Sequence, residues 1–160
     1  MLIAAPALAA PLPEAGVSAP TKVTPPKFAD RCKDPLALTI RNAGFRGESI
    51  HVAWAIAMRE SNGNPTVISA SGDYGLFQIN SGAWSNQSWW DSSAMLTPDY
   101  NARIAYKISK GGKDWKMWGL DRYGNLDATY YQSWGPDLWQ AWIVAPFQKY
   151  YAQFPTKCLP

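Results

Sequence analysis

The chain has few of the residues that a metal centre or a membrane span requires. It contains one histidine, and its two cysteines lie far apart in the sequence, so we expect no metal site and no cofactor. No run of apolar residues approaches the roughly 20 that a membrane-spanning helix needs. The formal net charge of +3 is too small and too scattered to indicate a nucleic-acid partner. In other respects the composition is ordinary for a globular protein.

Composition divides the chain into two parts. Residues 1–27 are rich in alanine and contain six of the thirteen prolines, which predicts an extended, poorly ordered leader or signal remnant. An A-x-A cleavage pattern spans Ala7–Ala9, but the positive segment of a secretory signal is missing. A truncated start and a plain linker stay open as alternatives. Residues 28–160 are long enough for one domain with its own core.

The two cysteines bracket that domain. Cys32 precedes the first predicted helix, and Cys158 lies near the end of the sequence. This placement predicts a disulfide and hence an oxidising destination. Two unpaired thiols are the alternative, because only the spacing supports the bridge.

Capping residues and hydrophobic spacing predict a mostly helical domain. Asp34-Pro35 and Thr97-Pro98 are typical of helix starts, and Gly44 is typical of a stop. The predicted helices are Pro35–Ala43, about Glu48–Glu60, one from Pro98 to the glycines at 111 and 112, Asn125–Trp134, and Pro136–Phe154 with a bend at Pro146.

Two short β-prone runs interrupt the helices. Thr66–Ser69 and Tyr74–Ile79 are joined through Ser71-Gly72, a pattern that favours a small sheet of two or three strands. The fold class predicted is therefore α+β, mostly helical, with a small hairpin lobe.

Two acids flank the loop between the buried helix and the hairpin. Glu60 ends an apolar helix, where desolvation and the helix dipole both favour its protonated form. Asp73 lies in a polar turn, where we expect it to stay ionised. Glycosidases use two carboxyls in contrasting surroundings in this way. Taken singly, each acid is more often only a solvated or capping residue.

The motif around these acids is more specific than either acid alone. The segment ESNGNP runs from Glu60 to Pro65, and DYGLFQINS runs from Asp73 to Ser81. Together they resemble the lysozyme superfamily over about residues 45–119. Animal-type lysozymes share the first acid and the hairpin motif, whereas soluble lytic transglycosylases commonly lack the aspartate. Gly82-Ala83 departs from the arginine and tryptophan usual in the animal pattern.

The resemblance implies a lysozyme-like fold with a substrate cleft and cleavage of the β-1,4 bond after N-acetylmuramic acid in peptidoglycan. Glu60 would be the general acid and Asp73 the second carboxylate of a muramidase. A lytic transglycosylase that leaves 1,6-anhydromuramoyl ends is the alternative. A non-catalytic wall-binding or virion structural module is an alternative from another class.

Four further residues are candidates for sugar binding. Gln78 and Asn80 lie two apart, so their side chains are expected on one face, and the matching positions line the cleft in lysozymes. Trp84 follows in a polar loop, where it could stack on a sugar or pack inward. By the resemblance, Trp115 in the segment DWKMWG is the aromatic residue near Glu60; on spacing alone it is ordinary core.

The expected partner is a peptidoglycan glycan strand, bound by a monomer. The expected location is secreted or facing the cell wall. A bacterial enzyme, a phage endolysin and a virion-associated enzyme all stay open, and nothing in the sequence selects Tyr130 or Tyr131 for a role in the cleft.

Overall fold

The computed structural model describes residues 27–121 and 135–159. The predicted leader, the predicted helix Asn125–Trp134 and both tyrosines within it lie outside the described residues. Within the described ranges, no helix combines the length and apolar character needed to cross a bilayer. The helices and strands are α1 Phe28–Arg31, α2 Pro35–Ala43, α3 Glu48–Ser61, β1 Asp73–Tyr74, β2 Ile79–Asn80, α4 Ser81–Trp84, α5 Pro98–Ile108, α6 Pro136–Trp139 and α7 Ala145–Ala152.

Helix α3 forms the centre of the core because it is apolar on nearly every side. Its residues 52–57 are all buried. Helix α2 packs on one side of α3, and α7 packs on another. The two ends of α3 are closer to solvent than its middle, so the acid predicted in its C-terminal turn lies at the boundary of the core.

Local capping chemistry fixes the ends of α2 as the sequence predicts. The side chain of Asp34 accepts a hydrogen bond from the backbone N–H of Ala37 at 2.7 Å, and Pro35 occupies the first turn. Gly44 ends the helix with φ of 125°, a value that favours glycine. The predicted helix that starts at Pro98 is also confirmed, with its end at Ile108.

The hairpin differs from the prediction in where its turn lies. The segment predicted as one strand, Tyr74–Ile79, contains the turn itself, and only two residues pair on each side, Asp73 with Asn80 and Tyr74 with Ile79. Ile68 adds a single bridge to Tyr74. Because Gly75 and Gln78 both have positive φ, the chain reverses where the hydrophobic pattern suggests that it continues.

Tertiary contacts hold this turn in place. The buried side chain of Asn101 on α5 donates to the carbonyl oxygen of Tyr74 at 2.9 Å and accepts from the N–H of Phe77 at 2.9 Å. Ser61, at the end of α3, donates to the carbonyl oxygen of Leu76 at 2.9 Å. The hairpin is therefore fixed against the end of the helix that carries Glu60.

The C-terminal helical region is continuous but changes its winding. A π-helical segment, Gln140–Val144, connects α6 to α7. Pro146, the second residue of α7, has no N–H with which to continue the α-helical ladder. The winding thus changes just before the proline at which the sequence predicts a bend.

The predicted disulfide joins Cys32 to Cys158 across 126 residues of sequence. Both sulfur-bearing side chains are buried. The bridge fastens the end of the chain beside α1, and it closes the domain around α3.

Candidate active site

Glu60 lies in the last turn of α3 with its side chain 25% exposed. The helix ends immediately beyond it, where Asn62 adopts a left-handed conformation with φ of 53°. The carboxyl group is therefore accessible at the edge of the core. Its position agrees with the sequence prediction, but its surroundings do not.

The guanidinium of Arg59 accompanies this carboxyl group. Its Nε and Nη2 atoms both donate to Oε1 of Glu60, at 3.0 Å and 2.5 Å. From the sequence, only desolvation and the helix dipole are expected to act on Glu60, and the structure adds a cation beside it. Sequence reasoning missed Arg59; the available signal was a basic residue in the last turn of an otherwise apolar helix, directly beside the acid.

Arg59 is itself part of the buried framework, since its side chain is only 5% exposed. Nη2 also donates to the backbone carbonyl of Trp118 at 2.9 Å, and Nη1 reaches the carbonyl of Ile143 at 3.5 Å. One guanidinium thus connects the end of α3, the turn at Trp118 and the π-helical segment.

Asp73, at the start of β1, is held by three side-chain donors. Ser69 and Ser71 donate to Oδ2 at 2.6 Å and 2.5 Å, and Asn80 donates to Oδ1 at 2.7 Å. Partial burial raises the pKa of Asp73, but the hydrogen bonds from the two serines and the asparagine outweigh it and lower the pKa below its ordinary value of 3.8. Asp73 is thus ionised at neutral pH.

A small cavity of about 110 Å³ opens beside Asp73. It is bordered by the hairpin, by α5 and by the turn at Trp118. The residues that line it are Asp73, Gln78, Ile79, Asn80, Trp84, Ile108, Met117 and Trp118. Trp118 contributes its ring here while its carbonyl oxygen shares Nη2 of Arg59 with Glu60. Trp118 therefore lines the cavity beside Asp73 and also shares the guanidinium of Arg59 with Glu60.

A larger cavity of about 410 Å³ lies elsewhere, between α2, α3 and the loop that follows α3. Its walls are mainly apolar, and among the described residues Asp34 is the one carboxyl group that lines it. That carboxyl already accepts from Ala37 and from the indole of Trp54. Asp73 borders only the smaller cavity, and Glu60 is not among the described residues that line either one. We place the candidate site at the smaller cavity because Asp73 lines it and Trp118, which also lines it, is bonded to the partner of Glu60.

A family model described as "Lysozyme like domain" matches residues 37–120, just over half of the chain. The chain belongs to the lysozyme-like domain family. Searches of curated proteins and of solved structures gave no significant match. Membership indicates an enzyme of the glycosidase or transglycosylase type that acts on peptidoglycan.

The lysozyme-like domain brings three of the four predicted sugar-binding residues to the cavity. Gln78, Asn80 and Trp84 line it. Asn80 also donates to Asp73, and its oxygen accepts from the N–H of Ala83 to cap α4. Gln78 donates to the carbonyl oxygens of Val67 and Gly75, so both amides support the hairpin as well as facing the cleft.

Trp115, the fourth candidate, lies in the core instead. It is 1% exposed and stacks on Phe45 with ring centroids 5.7 Å apart. Trp118, three residues later, lines the cavity and donates its indole N–H to the carbonyl oxygen of Phe77. The tryptophan that borders the cleft is therefore the second of the W-x-x-W pair, and a sugar cannot reach the first in this conformation.

The sequence left open whether Trp84 stacks on a sugar or packs inward, and the structure shows features of both. Its side chain is half-buried and contacts Trp89, with ring centroids 5.6 Å apart. It nevertheless contributes to the cavity wall. This position suits an aromatic surface at the edge of a sugar site.

Proposed function

We propose that this lysozyme-like domain is a muramidase that hydrolyses the β-1,4 bond between N-acetylmuramic acid and N-acetylglucosamine in peptidoglycan. The observation that carries the proposal is the position of the ionised Asp73 in the wall of the small cavity. Trp118 lines the same cavity, and its carbonyl oxygen accepts a hydrogen bond from Arg59, the partner of Glu60. Two carboxyl groups in unlike surroundings suit acid-assisted glycoside cleavage; Asp73 borders the cavity, and Glu60 is connected to the cavity wall through Arg59 and Trp118.

In the proposed reaction, Glu60 donates a proton to the glycosidic oxygen, and the bond from that oxygen to the anomeric carbon breaks. The negative charge of Asp73 stabilises the oxocarbenium-like transition state or traps it as a covalent ester. Water then adds to the anomeric carbon and returns a proton to Glu60. The three donors on Asp73 keep it charged and oriented before substrate arrives, so little reorganisation accompanies the reaction.

The disulfide and the substrate favour a location outside the reducing cytoplasm. Disulfides persist in oxidising compartments, and peptidoglycan lies in the same compartments. We therefore place the domain at the wall-facing side of a membrane or outside the cell, acting on glycan strands as a monomer.

The proposal is tested with Glu60→Gln and Asp73→Asn on purified peptidoglycan. Loss of the acid should lower the rate about 100-fold or more, and loss of the second carboxylate about tenfold or more. Glu48→Gln, at the opposite end of α3, and Asp91→Asn, a hydrogen-bonded aspartate outside the cavity wall, are matched controls that should keep the parent rate.

Mass spectrometry of the released muropeptides separates the two chemistries. Reducing muramic acid ends, one water heavier than anhydro ends, are expected from hydrolysis. Products with 1,6-anhydromuramoyl ends would assign the domain as a lytic transglycosylase. Binding to walls without cleavage by the parent protein would favour a non-catalytic wall-binding module.

A further inference from the structure

Arg59 makes an unusual set of contacts for a residue beside a catalytic acid. Both of its donors to Glu60 reach the same oxygen, Oε1. No described residue donates a hydrogen bond to the other oxygen, Oε2. The two oxygens of one carboxyl group therefore have different surroundings, and one of them is committed to the protein.

We propose that Arg59 is a positioning residue that holds Oε1 of Glu60 as the acceptor oxygen and leaves Oε2 to carry the proton to the glycosidic oxygen. The inference rests on the proposed role of Glu60. In a protonated carboxyl group the carbonyl oxygen accepts and the hydroxyl donates. The two N–H groups of Arg59 select Oε1 as the carbonyl oxygen, so the O–H lies on Oε2.

Arg59 also assists the transfer itself. As the proton leaves Oε2 for the leaving oxygen, negative charge develops on the carboxyl group of Glu60. The guanidinium is already within hydrogen-bond distance of Oε1, so it stabilises that charge through charge-assisted bonds without moving. When water later adds to the sugar, the same carboxylate receives a proton and the cycle closes.

The remaining contacts of Arg59 make the guanidinium rigid enough for this role. Its Nη2 bonds the carbonyl oxygen of Trp118, whose ring lines the cleft, and its Nη1 reaches Ile143. Ile143 lies beyond residues 37–120, the segment that matches the family. The C-terminal region thus contributes a backbone carbonyl to the support of the acid.

The test compares Arg59→Gln and Arg59→Lys with the parent on soluble, uncrosslinked glycan strands. Arg59→Gln should lower kcat about tenfold to a hundredfold with KM within about twofold, because sugar contacts are unchanged. Arg59→Lys should also lose kcat with KM unchanged, since it keeps the charge but not the two-donor geometry.

Arg46→Gln is the matched control. The guanidinium of Arg46 also bonds backbone carbonyls, those of Arg41 and Phe45, away from the cleft. It should leave kcat and KM at parent values. Thermal melts of every variant give the folded fraction at the assay temperature.

The outcomes separate this inference from the proposed function. An inactive Glu60→Gln combined with parent kcat in both Arg59 variants would overturn the positioning role alone. Loss of kcat only in proportion to the unfolded fraction would also overturn it, since Arg59 would then be structural. An active Glu60→Gln would remove the proposed acid, and with it the role of Arg59.

Discussion

At the scale of single residues, the two acids differ in the partners that hold them. Asp73 accepts from uncharged donors, two serines and an asparagine, whereas Glu60 accepts from a guanidinium. Short polar side chains can fix a carboxylate within a tight turn, and a long buried arginine can reach from a helix end to a neighbouring loop. Each acid is thus held by residues close to it in sequence.

Asp73 should make stability depend on pH in the acid range. Its pKa in the folded state is lowered below 3.8, so its contribution to the free energy of unfolding is fully present above the unfolded pKa. That contribution is lost as the pH falls through the lowered folded pKa. The difference in Tm between the parent and Asp73→Asn should therefore narrow as the pH decreases below about 4.

Thermal melts of both proteins between neutral and acid pH measure this difference. A constant gap in Tm across the whole range would show that the hydrogen bonds to Asp73 do not favour its ionised form. Peptidoglycan-clearing assays at each pH measure the catalytic role of Asp73 separately from its effect on stability.

At the scale of elements, the reversal at Gly75 depends on contact with the rest of the fold. A Cβ atom at Gly75 would lie 2.3 Å from the carbonyl oxygen of Met95 and 2.5 Å from Nδ2 of Asn101, and φ there is +71°. Only glycine fits both the conformation and the space. The hairpin turn can therefore sit directly on the N-terminal part of α5.

Gly75→Ala should be strongly destabilising for this reason. Backbone strain and overpacking each contribute about 1–3 kcal/mol to the loss in free energy of unfolding. Gly47→Ala is the matched control, because φ is +55° but nothing lies within 4 Å of the added carbon; it should cost about 1–3 kcal/mol, the backbone strain alone. Urea unfolding of both variants gives the comparison, and equal losses would contradict the steric part of the argument.

Local signals in the sequence predict the helices but not the turn. Asp34-Pro35 and Gly44 fix α2 through contacts within a few residues, so they can be read directly from the chain. The run from Tyr74 to Ile79 reads as a strand because it is apolar, yet Asn101, 24 residues beyond Phe77, converts it into a turn. Long-range contacts of this kind have no local signature.

The same distinction between local signals and long-range contacts applies to the candidate active site. The motif predicts Glu60 and Asp73, together with three residues that line the cavity, because those residues are close together in sequence. It does not predict that Trp118 rather than Trp115 borders the cleft: both tryptophans are buried, and the stacking of Trp115 on Phe45 keeps it away from the cavity wall. Nor does it predict that Arg59 turns back toward Glu60, since this depends on the carbonyl oxygens of Trp118 and Ile143.

At the scale of the whole molecule, the domain is closed by one covalent bond between its beginning and its end. The bridge between Cys32 and Cys158 spans 126 residues, and α7 packs on α3 inside that loop. The chain-entropy treatment of such a loop predicts a stabilisation of about 4–5 kcal/mol as an upper value. The C-terminal region, which supports Arg59, is included in the closed loop.

Replacing both cysteines with serine should lower the free energy of unfolding by up to about 4–5 kcal/mol. Either single replacement should have nearly the same effect, because the bond is lost in each case. Denaturant titrations with and without a reducing agent provide the measurement. A midpoint that does not respond to reduction would show that the bridge contributes nothing to folding.

The same bridge has a mechanical consequence. A pulling force applied between Lys27 and Leu159 passes through α1 and the sulfur–sulfur bond, and it bypasses the helices that lie between the two cysteines. The residues between the two cysteines then carry no tension. Tension between the two ends of the domain would therefore not deform the cleft as long as the disulfide is intact.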